Sequence, residues 1–329
     1  MSMNISKKIW FVSGLFLLGL PAGFILITQT QQPPFSKPHV IEKGMWQPPD
    51  EATIPATEAG DLIRYGKELI AHTALYLGPK GTVAPLLTNG MNCQNCHLAA
   101  GTQNWANPFS AVASLYPRYR PRSGIVESIE FRINDCLMRS LNGKTLDSQS
   151  QEMKALVSYI TWLGKDVPKG RKPTGSGIEP LPFLNRPADT VAGKIVYMQK
   201  CQSCHGTAGQ GFLSTDSASF IYPPLWGEQS YNTGAGLYRL FQFATYVKYN
   251  MPFGTSFSKP QLTNEEAWDV AAFVNSQPRP QKPFTSDWPE LAKKPVDFPF
   301  GPYPDTFSEA QHKYGPYLPI INAKAATKQ

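Results

Sequence analysis

The chain has 329 residues, more than a single hydrophobic core usually organises, so its length predicts two domains. Its formal net charge is +7, from 31 Lys and Arg against 24 Asp and Glu. The basic residues form no run interleaved with aromatic side chains, so we expect no nucleic-acid partner. Such a surplus is suited instead to steering a small anion or an acidic electron-transfer partner.

The N-terminus has the form of an export signal. Lys7 and Lys8 precede an apolar run over residues 9–27, and a polar, Pro-rich stretch follows. The run is long enough to span a bilayer and lacks a clear small-x-small cleavage site, which favours an uncleaved anchor over a cleaved signal. We therefore predict residues 1–28 to be a signal peptide or membrane anchor. The rest of the protein is expected in the periplasm, with possible anchoring to the inner membrane.

Stretches rich in Pro, Gly and Ser divide the remaining chain. We predict a tether over residues 29–56 and an interdomain linker over residues 169–188. The two predicted domains are then residues 57–168 and residues 189–279. The last segment, residues 280–329, is rich in Pro and aromatic rings and carries too many apolar side chains for a free tail. We expect it to wrap across a domain surface.

Each predicted domain carries one copy of the pattern Cys-x-x-Cys-His, the attachment site of a c-type haem. The two copies are Cys93, Cys96 and His97, and Cys201, Cys204 and His205. In such a motif the thiols add across the haem vinyl groups and the imidazole binds the iron. The pattern predicts two covalently bound haem c groups. One zinc ion held by four thiolates is the alternative, which a His at the same position of both motifs disfavours.

The two domains share one order of elements. Each begins with a predicted helix that carries Gly-Lys, at Gly66-Lys67 and at Gly193-Lys194. Each ends with an apolar helix, and we predict capping boxes that start at Ser148 and Thr263. A helix, a haem motif, a ligand-bearing loop and a second helix make up a class I cytochrome c. The predicted fold is mainly α, with two class I cytochrome c domains in tandem.

The second domain offers a distal ligand for its haem iron in the loop before the last helix. Met251 is followed by Pro252, an arrangement typical of a thioether ligand. Lys248 lies slightly earlier in the chain and can compete as a neutral amine. Both residues stay open as ligands of the second haem, and a Met that only fills the core is the alternative to ligation.

The fifth cysteine, Cys136, has no partner for a disulfide and is the candidate distal ligand of the first haem. It lies in a stretch with helical spacing, residues 124–142, on which Arg132 and Ser140 share its face. A neighbouring guanidinium favours the thiolate, which is both an iron ligand and a nucleophile toward sulfur. A buried, inert thiol is the alternative. Met138 is the rival ligand, but its position points it away from the Arg132 face.

With these residues in place, the chain resembles the periplasmic dihaem thiosulfate dehydrogenases of the TsdA type, which interconvert thiosulfate and tetrathionate. The resemblance rests on the two haem motifs and on the run of residues 132–143 around Cys136. It implies an active-site haem ligated by His97 and Cys136. It also implies that the second haem, with a Met or Lys distal ligand, passes the electrons onward.

The resemblance further implies a substrate pocket formed by Arg122, Arg132, Ser140 and Gln103. Two guanidinium groups can offset the repulsion between two thiosulfate dianions through bidentate hydrogen bonds to the sulfonate oxygens. The implied partners are thiosulfate, tetrathionate and a periplasmic or membrane-bound redox protein. A non-catalytic dihaem electron-transfer cytochrome is the main competing function. A dihaem peroxidase, for which no suitable His is found, and a thiol sensor are the others.

Overall fold

A computed structural model describes residues 44–215, 218–282 and 285–326 of the chain. The predicted signal or anchor over residues 1–28 lies outside this part. Within it, no helix is long and apolar enough to cross a membrane. The described helices and strands are α1 Glu58–Ala71, α2 Thr73–Leu77, α3 Leu98–Gly101, α4 Val112–Leu115, β1 Arg118–Arg120, β2 Ile125–Glu127, α5 Ile129–Arg139, α6 Gln151–Leu163, α7 Thr190–Lys200, α8 Gln202–His205, β3 Phe212–Leu213, β4 Phe220–Tyr222, α9 Leu240–Asn250, α10 Asn264–Ser276, α11 Glu309–Tyr314 and α12 Leu318–Ala326.

The first hydrophobic core forms where α1 crosses α6. Its buried side chains include Leu69, Met153 and Tyr159. Gly66 lies at the crossing, where a Cβ would stand 2.0 Å from Ala155 O. Only glycine allows the two backbones this approach.

The second core repeats this arrangement with α7 against α10. A Cβ on Gly193 would stand 1.8 Å from Asp269 O, so the second Gly-Lys pair occupies the same kind of crossing. The predicted capping box at Thr263 is confirmed, because its hydroxyl accepts from Glu266 N and the Glu266 carboxylate accepts from Thr263 N. The first predicted cap is wrong. Helix α6 is capped by Ser150, whose hydroxyl accepts from Met153 N, and not by Ser148.

The helix that carries Cys136 begins later than its spacing predicts. Strands β1 and β2 pair antiparallel, with Arg118 opposite Glu127, and Gly124 turns the chain between them at φ +70°. Ser128 then caps α5, its hydroxyl accepting from Phe131 N. The first part of the predicted helix is therefore a hairpin. The shorter helix still holds Arg132 and Cys136 one turn apart.

The segment after α10 contacts both cores. Phe300 packs against the first core, and Tyr317 and Ile320 are buried in the second. Buried His312 joins parts of the segment to each other, with Nδ1 2.8 Å from Val296 O and Nε2 3.0 Å from an Asp305 carboxylate oxygen. The aromatic side chains of this segment thus pack against cores that are formed by residues far away in the sequence.

Candidate active site

The first haem motif is fixed by hydrogen bonds on both sides. Cys93 N donates to Thr73 Oγ1 at 2.9 Å, which ties the motif to the start of α2. His97 Nδ1 lies 2.6 Å from Asn107 O. Because a carbonyl oxygen engages Nδ1, Nε2 is the ring nitrogen left to bind a metal.

The His97 ring is also held by stacking. Phe109 stacks on it with ring centroids 4.5 Å apart. The turn after the motif has Gly101 at φ +83°, where a Cβ would stand 2.1 Å from the Phe109 ring. Burial, with a contribution from Arg132, lowers the pKa of His97 to about 4. The imidazole is therefore neutral at neutral pH, the form that binds iron.

The second motif reproduces this geometry in the second core. His205 Nδ1 lies 2.8 Å from Pro223 O, and burial lowers the pKa of His205. Cys93 packs against the first core whereas Cys201 packs against the second, so the two motifs do not form one four-thiolate zinc site. Within the described ranges, no three His, Cys, Asp or Glu side chains are grouped to hold a metal ion. Each motif by itself fits a covalently attached haem.

Cys136 lies next to the first motif. Burial raises the pKa of Cys93 to about 11 and that of Cys96 to about 12, and the nearby Cys136 contributes to both increases. All five thiols are free of disulfides, and the Cys136 side chain is partly buried. The fold thus brings the fifth cysteine to the first haem site and not to the second.

Beside Cys136, the carboxylate of Asp135 gathers three arginines. Arg132 Nη1 lies 2.5 Å from Asp135 Oδ2, Arg139 Nε donates to Oδ1, and Arg122 Nη1 lies 3.9 Å from Oδ2. Although burial opposes it, these guanidinium groups lower the pKa of Asp135. Asp135 is therefore ionised and holds the arginine side chains in place.

The three arginines differ in how far their charge is balanced. Arg139 also makes two hydrogen bonds of 2.7 Å to the Asp287 carboxylate, so two carboxylates neutralise it. The pKa of Arg132 is raised, first by Cys136 and then by Asp135 against the effect of burial. Arg122 is the least compensated, because burial and neighbouring Arg139 lower its pKa to about 10. A bound anion would relieve this imbalance.

The other two predicted pocket residues lie in different settings. Ser140 caps the end of α5, its backbone N donating to Cys136 O at 2.8 Å, and its hydroxyl has no hydrogen-bond partner among the described residues. Gln103 Nε2 donates instead to Asn250 Oδ1 at 3.0 Å, and Asn250 Nδ2 donates to Trp105 O. Gln103 therefore joins the turn after the first haem motif to the end of α9.

The two candidate ligands of the second haem are placed unequally. Met251 lies at the C-terminal end of α9, partly buried against the second core. The Lys248 amine donates to Leu262 O at 2.5 Å, and burial lowers its pKa. A carbonyl oxygen thus already holds the amine, whereas Met251 packs against the apolar side chains of the second core.

Sequence reasoning missed several residues that build this site. Asp135 carries a detectable signal, because it lies at i+3 from Arg132 and i−4 from Arg139. Asp287 and Trp288 carry none. Trp288 N donates to Arg122 O at 2.7 Å, and its ring lies 5.8 Å from the Arg122 guanidinium carbon. The segment after α10 thus supports the arginines from outside the first core.

Comparison with known proteins gives matches to both halves of the described chain. The family model "SoxA/TsdA, cytochrome c domain" matches residues 84–168, and the model "Cytochrome c" matches residues 190–278. The thiosulfate dehydrogenase of Psychrobacter arcticus is 40% identical over 242 residues, which cover 73% of this chain and 71% of that protein. The thiosulfate dehydrogenase of Allochromatium vinosum is 38% identical over 236 residues, covering 70% of this chain and 83% of that one.

A solved structure has the same fold. The thiosulfate dehydrogenase (TsdBA) of Marichromatium purpuratum, in its as-isolated form, matches with a TM-score of 0.67 and 33% identity. The match covers 73% of this chain and 50% of the solved chain, so the present chain spans about half the length of that protein.

Two haem motifs, each in its own helical core, define a dihaem c-type cytochrome with two cytochrome c domains in tandem. The chain accordingly carries two covalently bound haem c groups and is an electron-transferring oxidoreductase. It belongs to the thiosulfate dehydrogenase family.

Proposed function

We propose that this protein interconverts thiosulfate and tetrathionate at a haem ligated by His97 and Cys136. The names of its relatives support the substrate. The observation that carries the proposal for this chain is the position of Cys136, a free cysteine beside the first haem motif and next to the arginine cluster. An inert electron carrier has no need of a thiol and an under-neutralised arginine at one haem.

The arginines bind and orient the substrate in this proposal. Arg122 carries the least compensated charge, so it is the first candidate to receive a sulfonate group. Arg132 lies next to Cys136, where its guanidinium group can donate hydrogen bonds to an anion. The hydroxyl of Ser140, one turn from Cys136 on α5, can donate a further hydrogen bond to the sulfonate.

The chemistry then runs through the sulfur of Cys136. The Cys136 thiolate and the terminal sulfur of one thiosulfate join in an S–S bond, and two electrons leave. The terminal sulfur of a second thiosulfate attacks the thiosulfate-derived sulfur that is bonded to Cys136 Sγ, which forms tetrathionate, breaks the bond to Sγ and releases the Cys136 thiolate. The haems supply one-electron acceptors for the two electrons. The reverse sequence cleaves tetrathionate with two electrons taken up.

His205 and, as the favoured second ligand, Met251 would hold the second haem, which would supply a one-electron relay to a periplasmic or membrane-bound redox partner. Support comes from the apolar setting of Met251 and the occupied amine of Lys248. The hydrogen bond from Gln103 to Asn250 links the turn after the first motif to the end of α9, which Met251 follows directly. We place the protein in the periplasm, because haem attachment at Cys-x-x-Cys-His takes place outside the cytoplasm.

A steady-state assay of the holoprotein tests this function. Thiosulfate with ferricyanide measures oxidation, and tetrathionate with a reduced viologen measures the reverse. We expect turnover in at least one direction: thiosulfate oxidised to tetrathionate, or tetrathionate reduced to thiosulfate. A protein that is reduced and reoxidised by artificial carriers but turns over neither sulfur compound would be an electron-transfer cytochrome only.

Substitution of Arg122 should weaken substrate recognition. In Arg122→Met we expect kcat/KM for thiosulfate to fall by about tenfold to a hundredfold, since a charge-assisted hydrogen bond contributes roughly 1.5–3 kcal/mol. Arg120→Met is the matched control, because Arg120 lies two residues away and pairs with Glu127 at 4.0 Å. Equal losses in the two variants, measured in the ferricyanide assay, would contradict a specific role for Arg122.

A further inference from the structure

Arg279 is a buried arginine whose hydrogen bonds are incomplete. It follows α10, at the start of the segment that leads to Asp287, and only 5% of its surface is exposed. Its Nη2 donates to Val274 O at 2.7 Å. Among the described residues, Nε and Nη1 have no hydrogen-bond partner, and no carboxylate forms an ion pair with the guanidinium.

Two tyrosine rings flank this guanidinium. Its central carbon lies 4.3 Å from the ring centroid of Tyr231 and 5.1 Å from that of Tyr238. Cation–π contacts of this kind stabilise a guanidinium group modestly. An unpaired buried charge costs more than this, because it loses its hydration without gaining an anion. The rings therefore position the guanidinium without neutralising it.

The guanidinium belongs to the surroundings of the first haem. Tyr231 and Tyr238 are buried in the first core, against which Cys93 packs, although both precede α9 in the second domain's part of the chain. Cys96 also acts electrostatically on Tyr231, whose pKa burial raises. Tyr246, on α9, donates to Asn95 O within the first motif at 3.4 Å. The second domain thus lies directly against the first motif at this point.

We propose that Arg279 binds a propionate of the haem attached at Cys93 and Cys96. Nε and Nη1 are the two donors left unpaired in this buried position, and they match the two oxygens of one carboxylate. Propionates are the anionic groups that a haem brings into a protein. Arg279 is in this role a positioning residue for the first haem, supplied by the end of the second domain just after α10.

A positive charge beside a haem favours its reduced state, because reduction adds an electron. Arg279 therefore raises the reduction potential of the first haem, the one beside Cys136. It also makes that potential depend on correct docking of the second domain against the first. The inference rests on haem attachment alone and not on the proposed reaction.

Spectroelectrochemical titration of the holoprotein, without substrate, tests the assignment. In Arg279→Met and Arg279→Gln, we expect the potential of the first haem to move to lower values while that of the second haem stays constant. Arg279→Lys keeps the charge but not the two-point hydrogen bonding, and should give an intermediate value. Arg171→Met removes one positive charge from an exposed position and is the matched control.

The second haem serves as the internal reference for folding in every variant. The assignment would be overturned if the reduction potential of the first haem were unchanged in both Arg279→Met and Arg279→Gln. It would also be overturned if only the potential of the second haem changed, or if Arg171→Met changed the first-haem potential by the same amount. If Arg279→Met does not retain its haems, the comparison of Arg279→Gln with Arg279→Lys decides, since both keep a polar side chain at this position.

Discussion

Replacement of Cys136 by Ala should lower thiosulfate turnover by about 10³-fold or more while both haems remain attached. The expected loss is large because Cys136 is both the proposed nucleophile and the proposed distal ligand of the first haem, and removal of a catalytic nucleophile eliminates most of the rate enhancement. Haem attachment should persist, since it depends on Cys93, Cys96 and the second motif. The measurement is kcat with ferricyanide, combined with haem content per chain.

Met138→Leu is the matched control for this variant. Met138 carries a sulfur on the same helix as Cys136 and is partly buried, but sequence spacing points it away from Arg132. The control should keep nearly full turnover and an unaltered spectrum, whereas Cys136→Ala should change the spectrum of one haem only. Full activity in Cys136→Ala, or a loss of equal size in Met138→Leu, would rule out the proposed chemistry.

The sequence predicts the elements that repeat and the residues that carry chemistry. Gly66 and Gly193 could be identified because both haem motifs are preceded by the same Gly-Lys pair, and the structure gives the reason in two helix crossings too close for a Cβ. The haem motifs and Cys136 could be identified because their chemistry depends on residue type and short spacing. Each of these features depends on residues that are close together in the sequence, so the sequence alone is enough to predict it.

The errors arise where local signals compete. Residues 125–127 are compatible with helical spacing, yet they pair with β1, because Gly124 at positive φ and the β-branched Ile125 and Val126 favour a hairpin. Ser148 and Ser150 are equivalent by composition. Ser150 is the cap because its hydroxyl can reach the backbone N of Met153. Helix propensity alone does not decide between such neighbours.

The electrostatic balance of the site could not be predicted, because it depends on long-range contacts. Asp287 pairs with Arg139 across 148 residues of sequence, and Arg279 reaches the first core from beyond α10. Arg139 lies on the same helix as Cys136, but the carboxylates of Asp135 and Asp287 neutralise it. Arg122 carries the least compensated charge of the three. Only the folded chain shows which guanidinium has the least compensated charge.

Replacement of Asp135 by Asn should destabilise the protein by about 3–5 kcal/mol, the usual effect of removing one partner from a buried ion pair. Asp135 is 5% exposed and faces Arg132, Arg139 and Arg122. The amide keeps the shape of the carboxylate but not its charge, so Arg132 and Arg122 would lose their ion pair with residue 135 and Arg139 would keep only its ion pair with Asp287. The free energy of unfolding, from urea denaturation of the holoprotein, measures the effect.

Asp61→Asn provides the comparison, because Asp61 also pairs with an arginine three residues away on its own helix, Arg64, at 3.0 Å. That pair is on the surface, with the Asp61 side chain 77% exposed, so its loss should change the free energy of unfolding by less than about 1 kcal/mol. If the two variants lose similar stability, Asp135 does not hold the arginine cluster. Suppose instead that Asp135→Asn loses more stability than Asp61→Asn, and that sulfate raises its free energy of unfolding more than it raises that of the parent protein. The position vacated by the carboxylate charge then binds anions. Such a result would locate the anion site at the residue next to Cys136.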